Sequence, residues 1–311
     1  MPNYTITDIC RITDRISRFS LVASDRTALP AWTAGAHIDV STSSGTRSYS
    51  LIRWSATQTN RYEIAVQLEA DGDGGSRAMH ELRSGAQLTV SDPKNDFELQ
   101  LTSRPVALLA GGIGVTPMIS MAASLAERNH PFSFYYTGRS RTSMAYLAKL
   151  QDQFGASLQT WFDDEVALNL PELVKGLVDH DLYICGPKGM IDAARTAAEA
   201  AGMDKQHIHV ELFQTAAGDE SANEEFEVEI SDTGEVITVA ANQTIIEALE
   251  AAGHDVMYDC QRGDCGICQT DVIAGIPDHR DVVLSDAEKS SGKVMQICVS
   301  RALSERLVLN L

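Results

Sequence analysis

Apolar and polar positions follow two different rules along this chain. Up to about residue 93 they form short alternating runs, at 9–12, 18–22, 37–40, 62–66 and 88–90, separated by turn residues. Strands of that length and spacing predict a small antiparallel β-barrel. From residue 104 continuous apolar runs alternate with amphipathic stretches: strands at 105–110, 132–137, 158–162, 181–185 and 207–212, helical patterns at 116–127, from 142, at 170–177 and at 188–201. This predicts a doubly wound parallel sheet of about five strands, with ligands at the strands' carboxyl ends.

A polar, aperiodic stretch from Gln214 to Asn223 reads as a linker. Beyond it the pattern predicts a hairpin, 226–230 with 236–239, and a helix at 244–252. The chain therefore divides into 1–102, 103–213, a linker at 214–224, and 225–311. Its 311 residues and 44% hydrophobic content are enough for more than one core.

Composition narrows the function. A formal net charge of -18 argues against a nucleic-acid partner, which needs a basic surface. From Glu224 to Leu311 there are 17 acidic and 6 basic side chains, a net -11, suited either to solvation or to steering a basic redox partner. No run approaches the roughly 20 apolar residues of a membrane span. Met1-Pro2-Asn3-Tyr4 lacks the features of a signal peptide, so a cytoplasmic protein is expected.

The candidate chemistry is concentrated at a few points. Cys260, Cys265 and Cys268 at spacing C-x4-C-x2-C, with Cys298 thirty residues later, match the plant-type ligand set of a [2Fe-2S] cluster. Zinc prefers two C-x2-C pairs, and only one is present here. Gly263 and Gly266 suit a loop whose N-H groups turn towards sulfur.

In the barrel, Arg47-Ser48-Tyr49-Ser50 places a guanidinium and a ring on one strand face, for phosphate and a flat heterocycle. An ordinary edge strand would look the same. The Gly74-Gly75-Ser76 turn opens a helix whose N-H groups suit an anion. At the sheet's strand ends, Gly111-Gly112-Ile113-Gly114-Val115-Thr116-Pro117 lets a pyrophosphate approach the backbone, and Cys185-Gly186-Pro187 suits a nicotinamide.

In that order these motifs resemble the phthalate dioxygenase reductase family, and vanillate demethylase reductases share the layout. The resemblance covers the whole chain, and the tail from Asp278-His279-Arg280-Asp281 to Cys298-Val299-Ser300-Arg301 is especially similar. It implies FMN on an antiparallel barrel, NADH on the α/β domain and a [2Fe-2S] cluster on an α+β, β-grasp ferredoxin domain. Arg47, Ser48, Tyr49 and Ser50 would hold the flavin, and the Val66, Gln67 and Leu68 backbone with Gly74, Gly75 and Ser76 would complete its pocket. Gly112, Thr116, Cys185 and Gly186 would line the nicotinamide path, and Phe213 would cover the isoalloxazine.

Gln67 and Asp73 stand where basic residues are expected, and Gln214 follows Phe213 in place of glycine. FAD is the alternative flavin, although no extra adenine-binding segment is evident. Arg139 and Arg141, after the strand at 132–137, are the positions that would meet the 2'-phosphate of NADPH.

The implied function is a monomeric reductase passing electrons from NADH through FMN and the cluster to a Rieske-type terminal oxygenase. No catalytic acid or base is assigned, because hydride transfer needs none. His37, His80 and His279 are read as structural or surface groups. A reductase for another acceptor, such as a cytochrome P450, would share every motif. A non-enzymatic iron-sulfur sensor would not need the flavin and nucleotide motifs.

Overall fold

The computed structural model describes residues 2–25, 28–55, 60–70, 74–213 and 223–311. It divides into two compact units, Met1–His209 and Val210–Leu311.

The first unit opens with six strands: β1 (Asn3–Arg11), β2 (Ile16–Ala23), β3 (His37–Thr42), β4 (Gly45–Ser50), β5 (Tyr62–Gln67) and β6 (Gln87–Val90), with helix α1 (Gly75–Glu81) before β6. They form one sheet in the order β4-β3-β6-β1-β2-β5, and each pair is antiparallel. Alternate side chains, among them Tyr4, Ile6, Phe19, Leu21, Ile38, Val40, Tyr62 and Ile64, enter one core. Each such side chain contributes about 1.5–3 kcal/mol on burial. Just past β4, Ile52 N-H donates to Glu63 O of β5 at 2.8 Å and draws the two edge strands together.

The same unit continues with β7 (Val106–Gly111), α2 (Val115–Glu127), β8 (Phe132–Gly138), α3 (Leu147–Phe154), β9 (Leu158–Phe162), α4 (Leu170–Lys175), β10 (Asp181–Cys185), α5 (Lys188–Ala200) and the start of β11 (Ile208–Glu211), within which the division falls. The sheet order is β11-β10-β7-β8-β9, with β10–β7, β7–β8 and β8–β9 parallel. Every residue of β7 and β10 is buried, as expected of strands covered on both faces.

One element starts later than the sequence pattern predicts. The helix expected from Thr142 begins at Leu147, because Tyr146 takes φ 60 and the preceding residues turn instead. A non-glycine residue in that region does not continue a right-handed helix.

The two sheets of this unit share a core. Ile16, Ala34, Ile52, Trp54 and Phe97 pack in one cluster with Val106, Val115, Met118 and Ile119. Polar contacts reinforce it. Ser120 Oγ donates to Leu51 O at 2.8 Å and accepts from Arg53 N at 2.9 Å, and Gln153 Nε2 donates to Trp54 O at 2.8 Å. The antiparallel and parallel sheets are thereby held as one body.

The second unit contains β12 (Phe226–Ile230), β13 (Val236–Val239), α6 (Ile245–Ala251), β14 (Gln269–Ala274), β15 (Pro277–Asp278), α7 (Asp286–Ser291), β16 (Val294–Gln296), β17 (Arg301–Ala302) and β18 (Arg306–Asn310). Its main sheet runs β13-β12-β18-β14-β16, with β12 and β18 parallel and the other pairs antiparallel. Helix α6 begins in a reciprocal capping box, Thr244 with Glu247, and buries Ile245, Ile246 and Leu249. The Arg301 guanidinium donates to Gln243 O, Glu224 O and Ala240 O, tying the hairpin to the start of the helix. Among the described residues no helix is long and apolar enough to cross a membrane.

Candidate cofactor sites

On β4, period two sends Arg47 and Tyr49 to one face and Ser48 to the other. Helix α1 meets the first face. A Cβ on Gly75 would lie 2.8 Å from Arg47 Cγ and 2.9 Å from its Nε, so the arginine stem runs directly over the glycine. Gly74, at φ 88, approaches Ser44 in the same way. Arg47 and the Gly74–Gly75 turn, well separated in sequence, are therefore brought together. Burial pushes the Tyr49 hydroxyl up to about 12, against the lowering effect of the Arg47 guanidinium.

Other predicted flavin residues occupy different positions. Ser48 Oγ donates to Asp39 Oδ1 at 2.6 Å, on the face away from Arg47. Val66 O meets the His80 ring at 3.0 Å, and Leu68 O accepts from Arg15 at 2.6 and 3.0 Å. Gln67 Nε2 donates to Glu69 Oε1 at 2.5 Å, and Ser76 Oγ accepts from Glu69 N at 3.0 Å. Asp73 lies outside the described residues, and so does Gln214. Phe213 is 38% exposed and belongs to the second unit.

Ser50 is different. It is 5% exposed, and its buried hydroxyl has no hydrogen-bond partner among the described residues. A hydroxyl left so in a native fold calls for a ligand or a water. By the same alternation Ser50 lies with Ser48 on the side away from Arg47, at the end of the strand, so its hydroxyl and the Arg47–Gly75 cradle are separate donors, which would suit the ring edge and the phosphate of a flavin respectively.

The two strand ends of the parallel sheet meet glycine to glycine. Cys185 pairs with Ala110, so the loops after β10 and β7 leave the sheet side by side. A Cβ on Gly114 would come within 2.3 Å of Cys185 O, and one on Gly186 within 3.0 Å of the Gly111 backbone. Gly112, at φ 55, has open space beside it and turns the chain into α2, while its carbonyl accepts from Tyr136 Oη at 3.1 Å. Thr116 Oγ1 donates back to Ile113 O at 3.1 Å and is buried. Gly112 and Gly186 are thus half-buried on adjoining loops at the carboxyl edge of the sheet, with Thr116 and Cys185 buried beside them, and glycine backbone at such an edge suits a pyrophosphate. Arg141 is already paired, donating to both oxygens of Glu165 at 2.7 and 2.9 Å and lying 4.0 Å from the Phe162 ring centroid.

In the second unit the loop after α6 gathers the cysteines. The Cys260 side chain hydrogen-bonds to Cys265 and Cys298, and Cys268 to Cys298. Thiol hydrogen bonds lower the Cys260 thiol, while the same contact and burial raise Cys265 and Cys298. Four thiols that compete for protons in this way release them on binding metal. Gly263 and Gly266, at φ 78 and 80, make the turn, and a Cβ on Gly263 would strike Val299 at 2.7 Å. The number, type and sequence spacing of these donors fit a [2Fe-2S] cluster.

Three further residues shape this loop, and the sequence pattern did not single them out. Asp264 accepts from Leu212 N at 2.9 Å, and burial pushes its carboxyl up to about 7. Asp281, fully buried, accepts from Val283 N and Leu284 N at 3.0 and 2.7 Å and shapes the segment against Gly263. Gln296, also fully buried, meets Cys268 Sγ at 3.4 Å. The one available signal was a lone amide among apolar neighbours, Val294-Met295-Gln296-Ile297.

Comparison with known proteins agrees with this layout. Residues 228–303 match the family model described as a 2Fe-2S iron-sulfur cluster binding domain. A vanillate O-demethylase oxidoreductase of Acinetobacter baylyi is 36% identical over 97% of this chain and 96% of its own length. The solved structure of a phthalate dioxygenase reductase, described as modular for electron transfer from pyridine nucleotides to [2Fe-2S], is 32% identical over 99% of this chain and 97% of that one, with a TM-score of 0.71. An intact type IV self-sufficient cytochrome P450 monooxygenase matches all of this chain at 36% identity and TM-score 0.73, and this chain covers 41% of that one.

Proposed function

The chain belongs to the phthalate dioxygenase reductase family, and from that premise we propose that it draws electrons from NADH through FMN and a [2Fe-2S] cluster and delivers them to a Rieske-type terminal oxygenase. It is an oxidoreductase of the flavin and iron-sulfur type. The observation that carries the proposal is the mutual interaction of four thiols, Cys260, Cys265, Cys268 and Cys298, in a chain that also brings the glycine loops after β7 and β10 together.

A bound flavin takes up a hydride from the nicotinamide and releases its electrons one at a time. The chain's own residues position and shield the reactants. Arg47 over Gly74 and Gly75 would take the flavin phosphate, Tyr49 would pack on the ring system and Ser50 would offer its unused hydroxyl to the ring edge. Ser48, Val66, Gln67, Leu68 and Ser76 would contribute through backbone groups. Gly112, Thr116, Cys185 and Gly186 would line the nicotinamide path. FMN is favoured over FAD because no segment is evident for an adenine. Arg141 would have to leave its exposed partner Glu165 to meet a 2'-phosphate, and the family resemblance favours NADH.

The domain limits that go with this reading are 1–102, 103–213, 214–224 and 225–311. The protein is proposed to act as a cytoplasmic monomer. Plant-type clusters lie near roughly -400 mV and Rieske centres at about -150 mV or above, so the final transfer is downhill. The partner would dock where Met257 and Ile267 stand exposed on the cysteine-loop segment within the acidic unit.

The test is direct. Purified protein should show flavin and cluster absorbance and NADH-dependent cytochrome c reduction. Cys265→Ser should abolish cytochrome c reduction but spare flavin reduction by NADH. Loss of both activities would refute the proposed electron order.

The match to the P450 monooxygenase favours a second reading, a P450 acceptor. Reduction assays with purified oxygenase and P450 partners separate the two.

A further inference from the structure

We propose that Gln296 donates a hydrogen bond from its side-chain amide to the Cys268 thiolate and so raises the reduction potential of the cluster. This rests on the reading that Cys260, Cys265, Cys268 and Cys298 hold a [2Fe-2S] cluster.

Gln296 ends β16 with no solvent exposure, between buried Met295 and Ile297. Its Oε1 lies 3.4 Å from Cys268 Sγ, with the thiol as donor, and its Nε2 donates to Gln269 Oε1 at 3.3 Å. The two glutamines are direct partners across β14 and β16, so the backbone ladder fixes the contact.

A cluster ligand is a thiolate and has no proton to give. An amide oxygen facing it would meet an anion and lose its donor, which is costly for a buried group. Rotating the terminal amide by about 180° exchanges oxygen and nitrogen at nearly the same positions. Nε2-H then points at sulfur, and Oε1 turns towards Gln269. Gln269 is exposed, and its amide turns freely to donate to that oxygen. The pair thus reverses its direction as a unit when the thiol becomes a ligand.

The hydrogen bond stabilises the more negative, reduced cluster more than the oxidised one. Hydrogen bonds to cluster sulfur are among the protein's means of setting potential. Gln296 is therefore a positioning residue for electron transfer and takes no part in hydride chemistry.

The experiment is redox titration of the full-length protein, followed by the EPR signal of the reduced cluster. Gln296→Leu should make reduction about tenfold less favourable, a fall of about 59 mV for a one-electron couple. Gln269→Leu should give a smaller shift of the same sign. Iron and sulfide contents are measured alongside. Wild-type protein without a cluster would refute the underlying reading, whereas a full cluster with an unchanged midpoint in Gln296→Leu would overturn this proposal alone.

If Gln296→Leu does not assemble, the wild-type chain decides. Labelled with 15N only at glutamine side-chain amides, it should show hyperfine coupling from such a nitrogen, retained in Gln261→Gly, a change that suits that residue's φ of 53. Absence of the coupling would overturn the proposal.

Discussion

The stem of Arg47 lies directly on Gly75, so close that a Cβ on the glycine would approach Arg47 Cγ to 2.8 Å. This contact joins a strand of the barrel to the start of α1, while Arg47 Nη1 donates to Thr46 O at 2.8 Å. Gly75→Ala should therefore displace a flexible side chain without disturbing the core. Flavin retention should weaken about tenfold or more, since a hydrogen bond to a charged group contributes ~1.5–3 kcal/mol. Flavin-to-protein ratio and a fluorescence titration measure this, and the melting temperature should stay near that of wild type.

Gly114 presents the opposite case. A methyl group added there would sit 2.3 Å from the Cys185 carbonyl oxygen, and a strand end cannot swing aside like an arginine. Gly114→Ala should cost about 1–3 kcal/mol through overpacking. It should also part the two glycine loops and slow flavin reduction by NADH. Calorimetry and stopped-flow reduction test this, with iron content expected to be unchanged.

Glu165 holds Arg141 through two hydrogen bonds. Removing the carboxylate charge with Glu165→Gln should release the guanidinium and improve use of NADPH relative to NADH. The ratio of kcat/KM for the two nucleotides is the readout. An unchanged ratio would show that Arg141 lies off the ribose path.

His209 stacks on Tyr183 with ring centroids 4.3 Å apart, and burial lowers its pKa below the usual histidine value. Burial does the same to His180 and His279. In each case the unfolded chain takes up a proton more readily than the folded one. The stability these neutral rings provide is present above the unfolded value, near about pH 6.5, and is lost as pH falls below it. Thermal unfolding should therefore show a drop in melting temperature below about pH 6.5, shallower in His209→Gln.

Much of the site chemistry was legible because it is local. The spacing of Cys260, Cys265 and Cys268 is what one loop folding round one cluster would need, and the glycines after β7 stand where the chain turns close to the loop after β10. Strand alternation alone placed Arg47 and Tyr49 on a common face. Local pattern failed where a single backbone angle intervened, as at Tyr146, whose positive φ delays α3 to Leu147.

The sequence by itself determined which residue types exist to bind flavin, nucleotide and iron, since ligand chemistry and short-range geometry are written in neighbouring positions. Only the tertiary structure decided which of them meet. Gly75 under Arg47, Gly114 against Cys185 and Gln296 beside Cys268 each join segments far apart along the chain. It also turned Ser48 to Asp39 and left the Ser50 hydroxyl without a partner among the described residues. Such contacts arise from how sheets and helices pack, and no local pattern of polar and apolar residues records them.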